Sequence, residues 1–203
     1  APCNFTVQVI DFTGDLAGFQ PCWRAVTNST YQHWSFGMSN DLAAVPAELV
    51  TNAFGVPAAS LTLGTFSSGY IAEDTFLGCR QGIWDLGRLG TLTLNVPNAP
   101  GLSGSAYKYV QVAVTQLRDG IYLQNAGVNI AGGVLVQQQE QNIETNGFGG
   151  IWKVAKSVWR VGPPSPVSEL VVVTAGTNGS LIDQVVVDTV ADAGAAFFAE
   201  PGA

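Results

Sequence analysis

The segment YKYVQVAVTQL, residues 107–117, has the clearest alternation of side chains in this sequence of 203 residues. In an extended strand successive side chains point to opposite faces of the sheet, so alternate positions share a face. The valines Val110, Val112 and Val114 therefore share one face, and Tyr109, Gln111, Ala113 and Thr115 share the other. This alternation predicts a half-buried β-strand.

Outward from this segment, similar runs rich in Val, Thr, Tyr and Trp recur between clusters of Gly, Pro, Asn and Ser, and helical periodicity is nearly absent. These features predict an all-β protein, an antiparallel β-sandwich of jelly-roll type with one or two short helices. We expect a single domain over residues 1–203. The expected strands are 5–12, 30–36, 60–66, 82–86, 91–96, 107–117, 120–124, 134–144, 151–161, 169–175 and 181–190, with a short helix at 46–54.

Two local signals add detail to this expectation. Pro46 at the first turn and Gly55 just after the last turn favour the helix at 46–54. Asn178-Gly179 lies between two Val-rich runs and predicts a type I′ hairpin, because both central residues of that turn need a positive φ. The last two strands are therefore expected to pair antiparallel.

Charge is scarce in the sequence. Eight Lys and Arg against fifteen Asp and Glu give a net charge of −7, and charged residues make up 11% of the chain, against roughly 25% in ordinary soluble domains. Such a surface cannot neutralise a run of phosphates, so we expect no nucleic-acid partner. No apolar run approaches the ~20 residues of a membrane-spanning helix, so we expect no membrane span.

The cysteines are Cys3, Cys22 and Cys79, and an odd count leaves one thiol after any single disulfide. A Cys3–Cys22 bond would tie the N-terminus to the first long loop, whereas Cys22–Cys79 would join two distant segments; we favour Cys3–Cys22. A disulfide predicts an oxidising compartment, and we interpret Ala1-Pro2-Cys3 as a mature terminus left by a signal peptidase. The protein is thus expected to be secreted, extracellular or at the cell surface; buried thiols in a cytosolic protein are the alternative.

Signals for catalysis are few. The single histidine, His33, excludes multi-His metal sites, and the motifs of common hydrolases, P-loops and dinucleotide sites are missing. We therefore expect no catalytic residues and no cofactor; glycan hydrolysis or lyase chemistry is the least implausible enzyme activity. Asp11 and Asp15 lie close together in a loop and could bind a structural calcium, with solvated turn acids as the alternative.

The five tryptophans are either core residues or platforms for stacking against sugars. A pocket near the loop before the second predicted strand would combine aromatic rings with polar donors, as ligand sites do. The candidate ligand-binding residues there are Trp23, Arg24, Gln32 and Trp34. Trp152 and Trp159 lie seven residues apart in one predicted strand and so face opposite ways, and we expect one of them to be exposed or at an interface.

Two resemblances cover parts of the chain, the first a short run and the second about half of the sequence. The run GSLIDQVVVDT, residues 179–189, resembles the final strand of galactose-binding-like jelly-roll domains. The runs STYQHWSF (29–36), NAFGVP (52–57) and QGIWDL (81–86) resemble secreted bacterial proteins with a C-terminal Pro-Glu-Pro sorting signal, of which only Glu200-Pro201 is present. The resemblances imply a jelly roll and export to the cell surface or matrix, and they transfer no ligand or catalytic residue.

The low charge, the richness in Gly and Ala and the 47% hydrophobic content favour an extracellular structural protein that self-assembles into a filament or surface layer. Its partner is then itself. The alternative is a secreted carbohydrate-binding module of the galactose-binding-like type, with a cell-surface or matrix polysaccharide as partner. For assembly we expect the Val-rich runs 170–173 and 185–187, which contain no Lys or Arg, to be open sheet edges, or residues 5–10 to be donated to the next copy.

Overall fold

The structure is a computed structural model that describes residues 20–37, 40–74, 80–99, 107–162 and 167–193. Within these ranges the chain forms two antiparallel β-sheets packed as a sandwich, which confirms the predicted fold class. The described part contains no helix, and hence none that could span a membrane. Its strands are β1 Ser29–Trp34, β2 Leu49–Thr51, β3 Ala58–Thr62, β4 Gly69–Asp74, β5 Arg80–Asp85, β6 Thr91–Pro97, β7 Tyr107–Arg118, β8 Gly127–Ile130, β9 Gly133–Thr145, β10 Ile151–Val161, β11 Ser168–Thr174 and β12 Leu181–Ala193.

The strands divide unequally between the two sheets. The large sheet has the order β2-β1-β12-β7-β10-β9, and β5 and β4 extend it beside the first residues of β12. The small sheet has the order β3-β6-β11-β8. Strands β12 and β7 therefore lie at the centre of the large sheet, and β9 is one of its edges.

Strand β7 lies in the core on both faces, which corrects the prediction of a half-buried strand. Its three valines are fully buried in the interior core, together with Leu92 and Leu94 of the small sheet. The opposite face of the large sheet, which we call the outer face, is closed by three smaller apolar clusters. They consist of Ala113, Val154 and Val186; of Trp23, Tyr109, Val158 and Val190; and of Ile83, Leu117, Trp152 and Leu181.

The two tryptophans of β10 illustrate the same double burial. Trp159 belongs to the interior core and Trp152 to an outer cluster, so they do face opposite ways. Neither is exposed, however, because Ile83 and Leu181 pack with Trp152 on the outer face. The expectation that one of them is exposed is therefore wrong, and a position at an interface stays a prediction.

Two predicted elements are absent. The helix predicted at 46–54 is replaced by β2, which pairs with β1 through His33 and Leu49. Glu48 stabilises this arrangement, since its carboxylate accepts a hydrogen bond from the backbone N–H of Ser35 at 2.7 Å. The strand predicted at 120–124 is a loop, in which the Asp119 carboxylate accepts bonds from two backbone N–H groups, those of residues 121 and 122.

The turn at Asn178-Gly179 exists, but it connects β11 of the small sheet to β12 of the large sheet. The Gly179 N–H donates to the Gly176 carbonyl at 3.0 Å, so the central residues are Thr177 and Asn178. Only Gly179 in this turn has a positive φ, of 94°. The last two strands consequently do not pair with each other, contrary to the prediction.

Strands β2, β4 and β8 were not predicted, and the strand predicted at 5–12 lies outside the described residues.

Candidate functional site

Within the described part of the chain, β9 offers an open side for strand pairing, which we call the β9 edge. Strand β9 is thirteen residues long and pairs with β10 alone. Most of its side chains are exposed, on both faces of the sheet. Its second row of backbone N–H and C=O groups therefore has no strand partner within the described part of the chain.

The composition of β9 does not protect this edge. Val134, Leu135 and Val136 are 58%, 44% and 41% exposed, and the run QQQEQN (137–142) follows them. Soluble proteins commonly block an exposed edge with Lys, Pro, bulges or a short strand. Strand β9 has no Lys, Arg or Pro and is long; two irregularities in its pairing with β10 are the only protective feature it shows.

The two carboxylates of β9 are both paired within the chain. The Glu140 carboxylate lies 3.5 Å from the Lys153 ammonium and also accepts a hydrogen bond from the Asn125 amide. The Glu144 carboxylate lies 3.0 Å from the Arg80 guanidinium. Because these charges are compensated internally, the β9 edge offers a second chain mainly amides and apolar groups.

A cleft adjoins the β9 edge where the two sheets separate, between β8 on one side and β9 and β10 on the other. It has a volume of about 180 Å³ and is lined in part by Val128, Leu135, Gln138 and Trp159. The indole N–H of Trp159 is already engaged, since it donates to the Ser157 hydroxyl at 2.9 Å. The cleft is thus large enough for a side chain of a strand that pairs with β9.

A second cavity, of about 160 Å³, lies among the loops at one end of the sandwich, beside Phe66 and Arg88. Phe66 is 81% exposed and lies under the Arg88 guanidinium, 4.8 Å from its ring centroid. Burial, with smaller effects of the Asp85 and Asp119 charges, raises the pKa of Tyr122 to about 12, so its phenol stays protonated at neutral pH. The cavity thus combines an exposed ring with a cation and a hydroxyl.

The four candidate ligand residues do not form one pocket. Trp34 is fully buried in the interior core, and Gln32, two residues earlier on the same face of β1, is equally buried. Trp23 packs against Tyr109 on the outer face, at a ring separation of 6.2 Å. Arg24 is also on the outer face, where its guanidinium makes two hydrogen bonds of 2.6 Å to the Asp188 carboxylate. The sheet itself separates the two pairs.

The remaining predicted site residues fall largely outside the described ranges. Cys22 is an exposed thiol without a disulfide within those ranges, while Cys3 and Cys79 lie outside them. Asp11 and Asp15 lie outside as well, and the described residues contain no group of three or more His, Cys, Asp or Glu placed to bind a metal. The Cys3–Cys22 disulfide and the calcium site stay predictions.

The two Val-rich runs that we expected at open sheet edges lie on inner strands instead. Residues 170–173 lie in β11, between β6 and β8, and residues 185–187 lie in β12, between β1 and β7. Both runs therefore lie on inner strands rather than at an open edge: residues 185–187 are buried on both faces of the sheet, whereas β11 is buried on one face and exposes Leu170 on the other. The sequence signal for the β9 edge was the run QQQEQN (137–142). This run lacks apolar alternation, which indicates that neither face of the strand is covered. Residues 5–10, the proposed donor segment, lie outside the described residues.

The chain matches no protein-family model, no curated protein and no solved structure. The resemblances to galactose-binding-like jelly rolls and to sorted bacterial proteins therefore stay predictions.

Proposed function

We propose that the protein is an extracellular structural subunit that assembles with copies of itself through the β9 edge. The observation that carries the proposal is a thirteen-residue edge strand, exposed on both faces, that lacks Lys, Arg and Pro and has both carboxylates paired internally. A strand from another chain can extend the sheet at such an edge by backbone hydrogen bonding.

The opposite edge of the large sheet is the complement we infer for β9. There β2 is exposed along its whole length, and Leu49 and Val50 are 45% and 46% exposed. Contact between β9 of one copy and β2 of the next would pair apolar residues 134–136 with this short strand. Because two different edges take part, the contact is heterologous and propagates into a filament, whereas β9 against β9 would close a dimer.

The test is the mass of the particles in native buffer, measured by light scattering for the unmodified chain and for Leu135→Lys. We expect large assemblies for the unmodified chain, and loss of them in Leu135→Lys, because a charge on the edge opposes pairing. Leu170→Lys is the matched control: this residue is 46% exposed on inner strand β11, so the same added charge should leave assembly intact.

Salt gives a second readout of the same proposal. Backbone and apolar contacts are weakly screened, so the assemblies should persist up to about 1 M salt, where the screening length is only ~3 Å. An unmodified chain that stays monomeric at high concentration would overturn the proposal.

Carbohydrate binding is the second candidate function, and the loop-end cavity favours it. Exposed Phe66 offers a flat ring for a sugar face, while Arg88 and Tyr122 offer hydrogen-bond donors. Retention on immobilised polysaccharides tests this function: Phe66→Ala should abolish retention, and Val56→Ala, at an equally exposed apolar residue, should not. A monomer that is retained in this way would favour binding over assembly.

A further inference from the structure

Three polar side chains meet inside the protein where β6 ends and where β7 and β11 begin. Asn98 directly follows β6, Lys108 is the second residue of β7, and Glu169 is the second residue of β11. Their exposed fractions are 2%, 1% and 1%. The group therefore joins the large sheet, through Lys108, to the small sheet, and it does so away from solvent.

The contacts within this triad bring an amine against a carboxamide. The Lys108 side-chain nitrogen Nζ donates to Asn98 Oδ1 at 2.5 Å, shorter than an ordinary N–H···O bond. A C=O bond is about 1.23 Å long, so Nζ cannot lie more than ~3.7 Å from the Asn98 carbon Cγ. Reacting atoms in near-attack geometries are about 3–3.5 Å apart. The amine is thus held within reach of the amide carbon.

Glu169 contacts both nitrogen atoms. Its Oε1 accepts a hydrogen bond from Asn98 Nδ2 at 3.3 Å and lies 3.6 Å from Lys108 Nζ. Burial raises the pKa of Glu169, against the opposing effects of Asn98 and Lys108, and its Oε2 is buried without a hydrogen-bond partner. A carboxyl group with a raised pKa that touches two nitrogens is suited to move a proton from one to the other.

A plain ion pair explains the triad poorly. Burying a lysine and a glutamate costs desolvation that offsets most of their attraction, so apolar residues of similar size would serve the fold as well or better. Burial does, however, favour the neutral form of an amine, which is its nucleophilic form.

We propose that Lys108 and Asn98 become joined by an intramolecular isopeptide bond, with Glu169 as the proton-transfer residue. The Nζ lone pair attacks Cγ of Asn98, and Glu169 takes a proton from Nζ and delivers one to Nδ2. The Cγ–Nδ2 bond then breaks and ammonia leaves. An amine and a primary amide thus become a secondary amide and one ammonia, with no change in oxidation state and no cofactor.

The link would tie the start of β7 in the large sheet to the end of β6 in the small sheet. Unlike a disulfide, it would survive reducing conditions. It does not depend on assembly through β9, because all three residues are internal to one chain.

Mass spectrometry of the denatured, reduced protein tests the proposal. We expect an intact mass lower than the sequence mass by one ammonia, about 17 Da. Trypsin should fail to cut after Lys108 and should release residues 89–118 as one peptide lacking that ammonia. Chymotrypsin, which can cut after Leu102 or Tyr107, should then give two peptides that stay joined. A full sequence mass with normal cleavage at Lys108 would overturn the proposal.

Variants separate the link from a cyclised asparagine, which also loses ammonia. Lys108→Arg should restore the full mass, and Glu169→Gln should slow the reaction about 100-fold or more, because it keeps the shape but cannot transfer a proton. Ammonia loss that persists in Lys108→Arg would indicate a succinimide at Asn98 and would refute the link. If a variant fails to fold, as judged by circular dichroism, the peptide map of the unmodified protein decides alone.

Discussion

Strands β12 and β9 are both thirteen residues long and belong to the same sheet, yet their surroundings are opposite. Strand β12 lies between β1 and β7 and is buried on both faces over its described side chains, whereas β9 is an edge exposed on both faces. Polar groups occur in both. In β12 the Asp188 carboxylate binds Arg24 and the Gln184 amide oxygen binds His33, whereas residues 137–139 of β9 present their amides outward.

This difference shows how composition reports position in a sheet. A run of valines with paired polar residues marks a central strand, because both of its faces must be filled and each buried polar group needs a partner. A run of amides without alternation marks an edge. Stability should therefore depend on β12, and contact with other chains on β9.

The largest expected effect is a charge in the central strand. Val187 is fully buried in the interior core, so Val187→Lys should cost several kcal/mol, because an unpaired buried charge is poorly tolerated. Val134→Lys on β9 should change stability by less than about 0.5 kcal/mol. Urea unfolding measures both. Similar losses in the two variants would break the distinction between the strands.

Breaking an ion pair should also cost more stability at β12 than at β9, and both costs should be smaller than that of a buried charge. Asp188 has no exposed side-chain surface, and Arg24→Ala would leave its carboxylate unpaired, which costs roughly 3 kcal/mol. Lys153→Ala removes the partner of Glu140 on β9, where both side chains reach solvent, and should cost about 0.5 kcal/mol. Thermal unfolding of the two variants at equal salt would check the ratio; equal costs would mean that the outer face over Asp188 is effectively open to water.

The sequence predicted the bounds of individual strands better than it predicted which strands pair with each other. Strand β10 has the predicted bounds, 151–161, because glycines 150 and 162 flank it. Periodicity cannot tell which strands pair, so β11 and β12 were predicted as edges although each has a neighbour on both sides. Similarly, the pair Asn178-Gly179 marked a turn without showing that the turn crosses between sheets.

The candidate sites were harder to predict than the strands. The triad joins residues that are up to 71 positions apart, and Lys108 alone resembles a polar strand residue. The predicted pocket failed because Trp23 lies on the outer face of the large sheet, whereas Trp34 lies on its interior face. Only the pairing of the strands brings such residues together or keeps them apart.

The smallest expected effect is a pH dependence of the folding stability, which arises where His33 of β1 contacts the central strand β12. His33 faces Gln184 of β12, and its Nε2 lies 2.7 Å from the amide oxygen, which assigns the ring proton to Nε2. Its Nδ1 is buried without a partner. Burial lowers the pKa of His33; hydrogen bonding to Gln184 and the charge of Glu48 oppose this effect, and the Arg24 charge adds to it.

The sign of the pH effect follows from this shift. The unfolded chain takes up a proton near the ordinary histidine value of about 6.5, before the folded chain does, so stability present above that pH declines as the pH falls toward the folded pKa. His33→Gln should remove this part of the slope between pH 7 and pH 5, and the single histidine allows NMR to follow the ring directly. Assembly should not share the slope, because neither β9 nor β2, the two strands of the proposed contact, contains a histidine. A folded pKa at or above 6.5 would contradict the assignment, and loss of assembly in step with His33 protonation would show that the central strands and the β9 edge are coupled.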